Sequence, residues 1–137
     1  MVGTRAKHLL VEYHGCDRVL LNDPSAVAAL MRRAADAAGA RVVAEVFHPY
    51  RPHGVTGVLV IEESHFSVHT WPECGYAAVD FYTCGECVPE NADQVLREGF
   101  GAERAEVLLV RRGLEETPRS MRVEPQLDDS PDPRLAH

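Results

Sequence analysis

No run of apolar residues in this sequence approaches the roughly 20 that a membrane-spanning helix needs, so no membrane partner is expected. The opening stretch, Met1 to Lys7, has neither the charged head and apolar middle nor the small-residue cleavage site of a signal peptide, and a cytoplasmic protein is expected. Positive charge is short. Fourteen Lys and Arg against 21 Asp and Glu leave a net charge of −7, and the basic pairs Arg32–Arg33 and Arg111–Arg112 are far apart, so nucleic acid is not an expected partner. The Gly-x-Ser-x-Gly elbow of the hydrolases is missing, which disfavours that class. Cysteines are few as well. Cys16, Cys74, Cys84 and Cys87 in a reducing compartment read as thiols and not as disulfides.

What the chain does have is enough length, 137 residues, for one core that buries roughly two-thirds of the unfolded chain's surface. Strands are predicted at His8–Tyr13, Arg41–His48, Val55–Ile61, Ser64–His69, Tyr76–Tyr82 and Glu103–Arg111. Asp23 and Pro24 begin a helix whose apolar residues Val27, Leu30, Met31, Ala34 and Ala38 recur at helical spacing until Gly39 ends it. A second helix is expected over Ala92–Glu98, with Asn91 as N-cap, Gln94 in a capping box and Gly99 as terminator. This order predicts an α+β two-layer sandwich, a mainly antiparallel sheet with two helices on one face. Residues 1–113 form the single domain, and 114–137, rich in Pro and charge, are expected to be a disordered polar tail.

Chemistry concentrates in two places. From Glu62 to Glu73 the chain reads Glu-Glu-Ser-His-Phe-Ser-Val-His-Thr-Trp-Pro-Glu, a density of hydroxyl, imidazole and carboxylate groups that is costly to bury without purpose. Strand alternation places Ser64, Phe66 and Val68 on one face and His65, Ser67 and His69 on the other, so a bulge or bend at Ser64 would be needed to bring its hydroxyl to the His69 ring. The second concentration, Asp80 to Cys87, ends in Cys-x-x-Cys. Taken alone it fits a redox dithiol, or half of a zinc site completed by His65 and His69. Against redox, the dithiol follows several strands instead of opening the domain. Against zinc, His65 and His69 stand about 13 Å apart on a straight strand.

Glu63-Ser-His-Phe-Ser-Val-His-Thr-Trp-Pro-Glu73 and Tyr76-Ala-Ala-Val-Asp-Phe-Tyr-Thr-Cys-Gly85, with Phe47-His-Pro-Tyr50, Gly54-Val-Thr-Gly57 and Lys7-His-Leu-Leu-Val-Glu12, closely resemble the prokaryotic S-adenosylmethionine decarboxylase family over about residues 7–112. The resemblance implies a small α/β sandwich that pairs as a homodimer and makes its own covalent pyruvoyl cofactor. Ser64 would attack the carbonyl of Glu63, and elimination would then split the chain into 1–63 and 64–137, leaving the pyruvoyl group on residue 64. The same resemblance makes His69 the proton acceptor in this processing, which suits an imidazole, and Cys84 the proton donor of the reaction. The substrate S-adenosylmethionine would be held through a Schiff base and decarboxylated to the aminopropyl donor of spermidine synthesis. Glu73 corresponds to a carboxylate that binds the ribose diol. Tyr50 lies where the family has an aromatic that stacks on adenine, and is equally readable as ordinary core. Thr56 stands where many members have a serine tied to processing, and it keeps the hydroxyl. No role for Cys87 follows from the family, and Cys16 and Cys74 read as structural. Two alternatives stay open: a pyruvoyl decarboxylase of arginine or ornithine, since only the pocket selects the side chain, and a non-catalytic zinc or redox module on the same fold.

Overall fold

Asp23 opens the longest helix as its side chain predicts. Its carboxylate accepts hydrogen bonds from the backbone N–H groups of Ser25 and Ala26, Pro24 takes the first helical position, and α2 runs over Pro24–Ala37. It is preceded by a single turn, α1 (Arg18–Leu21), capped by Asp17. The computed structural model describes residues 5–62, 64–113 and 121–125. Within these, seven strands form one sheet: β1 (Arg5–His14), β2 (Val42–Pro49), β3 (Val55–Ile61), β4 (Ser64–Trp71), β5 (Tyr76–Cys84), β6 (Arg104–Gly113) and β7 (Arg122–Pro125). They lie in the order β2-β3-β4-β5-β1-β6-β7, and every neighbouring pair is antiparallel. Helix α3 (Pro89–Gly99) lies against β1 and β5, α2 lies against β2 and β3, and the two helices pack on each other. The expected α+β sandwich is therefore the observed one.

The core fills the space between helices and sheet. Strand alternation supplies Leu9, Val11 and Tyr13 from β1, Phe66 and Val68 from β4, and Val79 and Phe81 from β5, and these meet Val27, Leu30, Met31 and Leu96 of the helices. Tyr13, fully buried, donates to Asp93 Oδ1 at 2.6 Å, while Arg97 donates to Asp93 Oδ2 at 2.9 Å. Burial, and then the nearby Asp93 carboxylate, push the Tyr13 hydroxyl well above its usual pKa, so it stays a donor at any ordinary pH. Tyr13→Phe removes that donor from a buried carboxylate and is expected to cost about 1–3 kcal/mol, read as a lower urea midpoint with an unchanged slope.

Two expectations need correction. α3 begins at Pro89 with Val88 as its uncapped N-cap residue. Asn91 instead donates its side-chain amide to the Ala37 carbonyl, and Gln94 donates to Glu98. Tertiary packing on α2 has set the boundary where local cap chemistry predicted a later one. The polar tail also contains structure: Arg122–Pro125 forms β7 along β6, a strand of four residues, too short to show a period. The remainder of that tail, 114–120 and 126–137, lies outside the described residues, as does Glu63.

Candidate active site

Ser64 opens β4 and Cys84 closes β5, two neighbouring antiparallel strands, so their side chains meet at one end of the sheet. The Ser64 hydroxyl donates toward Cys84 Sγ at 3.5 Å. His69 stands five residues further along β4 and is paired directly with Thr56 of β3. Their side chains are joined, with Thr56 Oγ1 2.9 Å from His69 Nδ1. No register shift marks the bend that would be needed to bring Ser64 to His69: β4 pairs with β3 from Ser64 onward and with β5 from His65 onward without a break. Five residues of extended chain then separate Ser64 from His69 by about 16 Å. Within one chain the candidate residues form two groups, not one.

The second group surrounds a cleft of about 390 Å³ whose lining includes Tyr50, His53, Thr56, His69, Trp71 and Glu73. Its walls come from the β2–β3 hairpin and the turn after β4. Gly54 makes that hairpin possible: its φ is +108°, and an added Cβ would lie 3.0 Å from the Thr70 carbonyl oxygen. Gly57 is needed for another reason, because a Cβ there would overlap the Phe47 ring at 2.2 Å. Thr70 accepts from the Val55 N–H and donates to the Leu21 carbonyl, and Asn22 accepts from the Gly54 N–H, which fixes the hairpin to α1. Glu73 sits on a one-turn helix (Pro72–Cys74) that ends at Gly75 in the left-handed conformation. Its carboxylate pairs with His53 Nε2 at 2.5 Å. Tyr50 is half exposed and lies edge-on to His48, so the reading as core is set aside.

Between the two groups, on the face turned away from the helices, lies a network that no motif announced. Asp80 accepts from His8 at 2.5 Å, from His65 at 3.2 Å and from Ser67. Burial pushes the Asp80 carboxyl up, but the hydrogen bonds from His8 and Ser67 outweigh it and bring its pKa down to about 2. His8, His65 and Asp80 could each offer a ligand atom within 4.8 Å of the others. However, Arg112 lies 3.0 Å from His8 Nδ1, and a guanidinium can only donate, so the His8 proton sits on Nε2 facing Asp80 and blocks ligation there. The zinc arrangement considered above, with Cys84, Cys87, His65 and His69, is not assembled. All four cysteines are free thiols. Cys16 is buried, and burial followed by the charge of Glu103 raises its pKa to about 12, whereas Cys74 is exposed and belongs to no core. His8, Asp80 and His53 escaped the sequence reading because their partners are 13 to 104 residues away; alternating polar residues inside the apolar strands β1 and β5 were the available signal.

Residues 7–113 match the family model described as S-adenosylmethionine decarboxylase. The chain is 47% identical over 113 residues to an S-adenosylmethionine decarboxylase proenzyme of Acetivibrio thermocellus, covering 82% of this chain and 91% of that protein. It is 44% identical over 108 residues to the proenzyme of Thermotoga maritima, covering 78% and 83%. Among solved structures, the adenosylmethionine decarboxylase of Aquifex aeolicus superposes with a TM-score of 0.75 at 30% identity, covering 86% of this chain and 99% of that one.

Proposed function

The chain belongs to the S-adenosylmethionine decarboxylase family, and from that premise we propose that it is a self-cleaving carboxy-lyase whose working site is shared between two copies of the chain. The reading rests on relatives named as S-adenosylmethionine decarboxylase proenzymes, which gives no support to an arginine or ornithine decarboxylase or to a zinc or redox module. The observation that carries the shared site is the 3.5 Å approach of Ser64 to Cys84 at one end of β4, with Thr56–His69 and the Glu73 cleft at the other.

The face turned away from the helices bears His69 and, by the alternation of β5, Cys84, with the Ser64 hydroxyl beside that thiol at the strand end; it carries exposed apolar residues, among them Leu10, Val46, Val60, Trp71 and Leu108. A two-fold axis through this face lays the start of one β4 over the end of the other. Ser64 and Cys84 of one copy then face the His69 cleft of its partner. The geometry around Ser64 fits a cofactor made from that residue: its hydroxyl is half-buried at a strand start, directly after the bond to be cut, and beside a thiol. The pyruvoyl ketone supplies the electron sink that lets the substrate carboxylate leave as carbon dioxide.

The chain's own side chains do the rest. With Nδ1 of His69 facing the Thr56 hydroxyl, Nε2 is the ring nitrogen left open to act as the base for processing. Threonine serves here as serine would, because only the oxygen is used. Glu73 offers two acceptor oxygens to a vicinal diol, with His53 steadying one of them. The exposed Tyr50 ring gives a face for the adenine or the sulfonium charge. Cys84 returns a proton at the position its thiol occupies beside residue 64.

Cys84→Ala therefore separates the two stages. It is expected to cleave at Glu63–Ser64 as the unchanged protein does, with carbon dioxide release from S-adenosylmethionine reduced about a hundredfold or more. Intact-mass spectrometry and a carbon dioxide assay on the same sample check this. An uncut Cys84→Ala chain, or a cut one at full activity, refutes the assignment.

A further inference from the structure

The Cys-x-x-Cys that ends β5 places a second thiol, Cys87, three residues beyond the proposed proton donor Cys84. Gly85 and Glu86 are the exposed middle residues of a tight turn, so Cys84 and Cys87 are its two corners. Corner Cα atoms of such a turn stand less than about 7 Å apart, and a disulfide spans Cα separations of about 4.4 to 6.8 Å. Gly85 has a φ of +68°, and an added Cβ would meet nothing within 4 Å, so the turn is open to solvent on that side. Both of its ends are anchored. Cys84 is paired with Ala6 of β1, while just beyond Cys87 the Val88 N–H donates to the Ala38 carbonyl at 3.0 Å and the Asn91 amide to the Ala37 carbonyl at 3.3 Å. Cys84 Sγ lies toward Ser64, and the Cys87 thiol donates toward the Gly39 carbonyl at 3.8 Å, so each side chain must rotate about its Cα–Cβ bond for the sulfurs to meet. They already sense each other: burial, and then the charge of Cys84, push the Cys87 thiol up.

We propose that Cys84 and Cys87 close into a reversible disulfide that switches the decarboxylase off, with a small linear disulfide as the oxidant. The Cys84 thiolate attacks one sulfur of that reagent, a mixed disulfide forms, and one small thiolate leaves. Cys87 then gives up its proton and attacks Cys84 Sγ, which makes the Cys84–Cys87 bond and expels the second thiolate. Two protein thiols are oxidised, one small disulfide is reduced to two thiols, and these take up the two protons. In the closed form Cys84 has no S–H proton to return to the substrate. The bond itself needs only the turn, whereas its effect on turnover rests on the reading of Cys84 as proton donor. The dithiol is a brake on decarboxylation and not a redox catalyst. Because Cys87 must lose a proton to close the bond, closure quickens as pH rises toward its raised pKa.

Processed protein equilibrated with millimolar 2-mercaptoethanol, in about tenfold excess over its disulfide, tests the switch. Alkylation should count two fewer thiols per chain pair, and carbon dioxide release should fall by about tenfold or more and return with dithiothreitol. Proteolysis after Glu86 puts the two cysteines on separate peptides, which should stay joined until reduced. Cys74→Ser should behave as the parent. Cys87→Ser, shown by a thermal melt to be folded, should keep its activity in the same buffer, since excess thiol removes a mixed disulfide that no second thiol traps. Peptides that separate without reductant overturn the switch, as does an equal loss of activity in Cys87→Ser. A disulfide that forms with full activity overturns it too, and Cys84→Ala assayed alongside locates the fault: full activity there removes Cys84 from the reaction, whereas low activity shows that the disulfide leaves the proton supply intact.

Discussion

Ser64→Ala is expected to leave every chain uncut and to reduce decarboxylation to background, a loss on the order of a thousandfold or more. The substitution deletes one oxygen at the first residue of β4. Neither the unshifted ladder to β3 and β5 nor the buried Phe66 and Val68 that anchor the strand depends on that oxygen. Folding should survive, with a melting temperature close to that of the parent. Cleavage should not survive, because no hydroxyl remains to take the acyl group of Glu63 and no ketone can then form at position 64. Ser64→Cys sharpens the test, since a thiol keeps a nucleophile at the same place and is expected to restore slow cleavage. Mass spectrometry reads both variants. Recovery of residues 1–63 and 64–137 as separate chains from Ser64→Ala would remove Ser64 from the chemistry.

The parts of this molecule that were legible in the sequence share one property: their partners are near in the chain or repeat with a period. The Asp23–Pro24 cap, the apolar stripe of α2 and the alternation of β3, β4 and β5 are of this kind. Ser64, His69, Cys84 and Glu73 were singled out because they sit in long contiguous motifs, and the structure places Ser64 beside Cys84 and puts His69 and Glu73 in the lining of one cleft. The start of α3 was not, since Asn91 found a better acceptor in the Ala37 carbonyl 54 residues away than in its own helix. β7 was hidden by its four-residue length and its charged neighbours. A row of basic residues is the sharpest case. Lys7, Arg111 and Arg122 are unremarkable in sequence, and only the β1-β6-β7 register makes them adjacent. The same kind of register argument underlies the proposed two-copy site, because an unbroken β4 keeps Ser64 and His69 apart.

That separation makes a second large effect predictable. If the partner's His69 acts on Ser64, then Ser64→Ala and His69→Ala chains, each uncut alone, should rescue one another when co-expressed with different tags. The mixed dimer contains one complete site, built from Ser64 and Cys84 of the His69→Ala chain and from His69, Thr56 and Glu73 of the Ser64→Ala chain. Its other site lacks both groups. Cleavage should therefore appear in the His69→Ala chain only, and random pairing limits activity to about a quarter of the parent's, since half the dimers are mixed and each has one working site of two. Gel analysis by tag identifies which chain is cut, and tandem affinity purification establishes that mixed dimers formed. A His69→Ala chain that cleaves by itself excludes His69 from processing. One that stays uncut in purified mixed dimers means that β4 bends to bring Ser64 to the His69 of its own chain, against the register seen here.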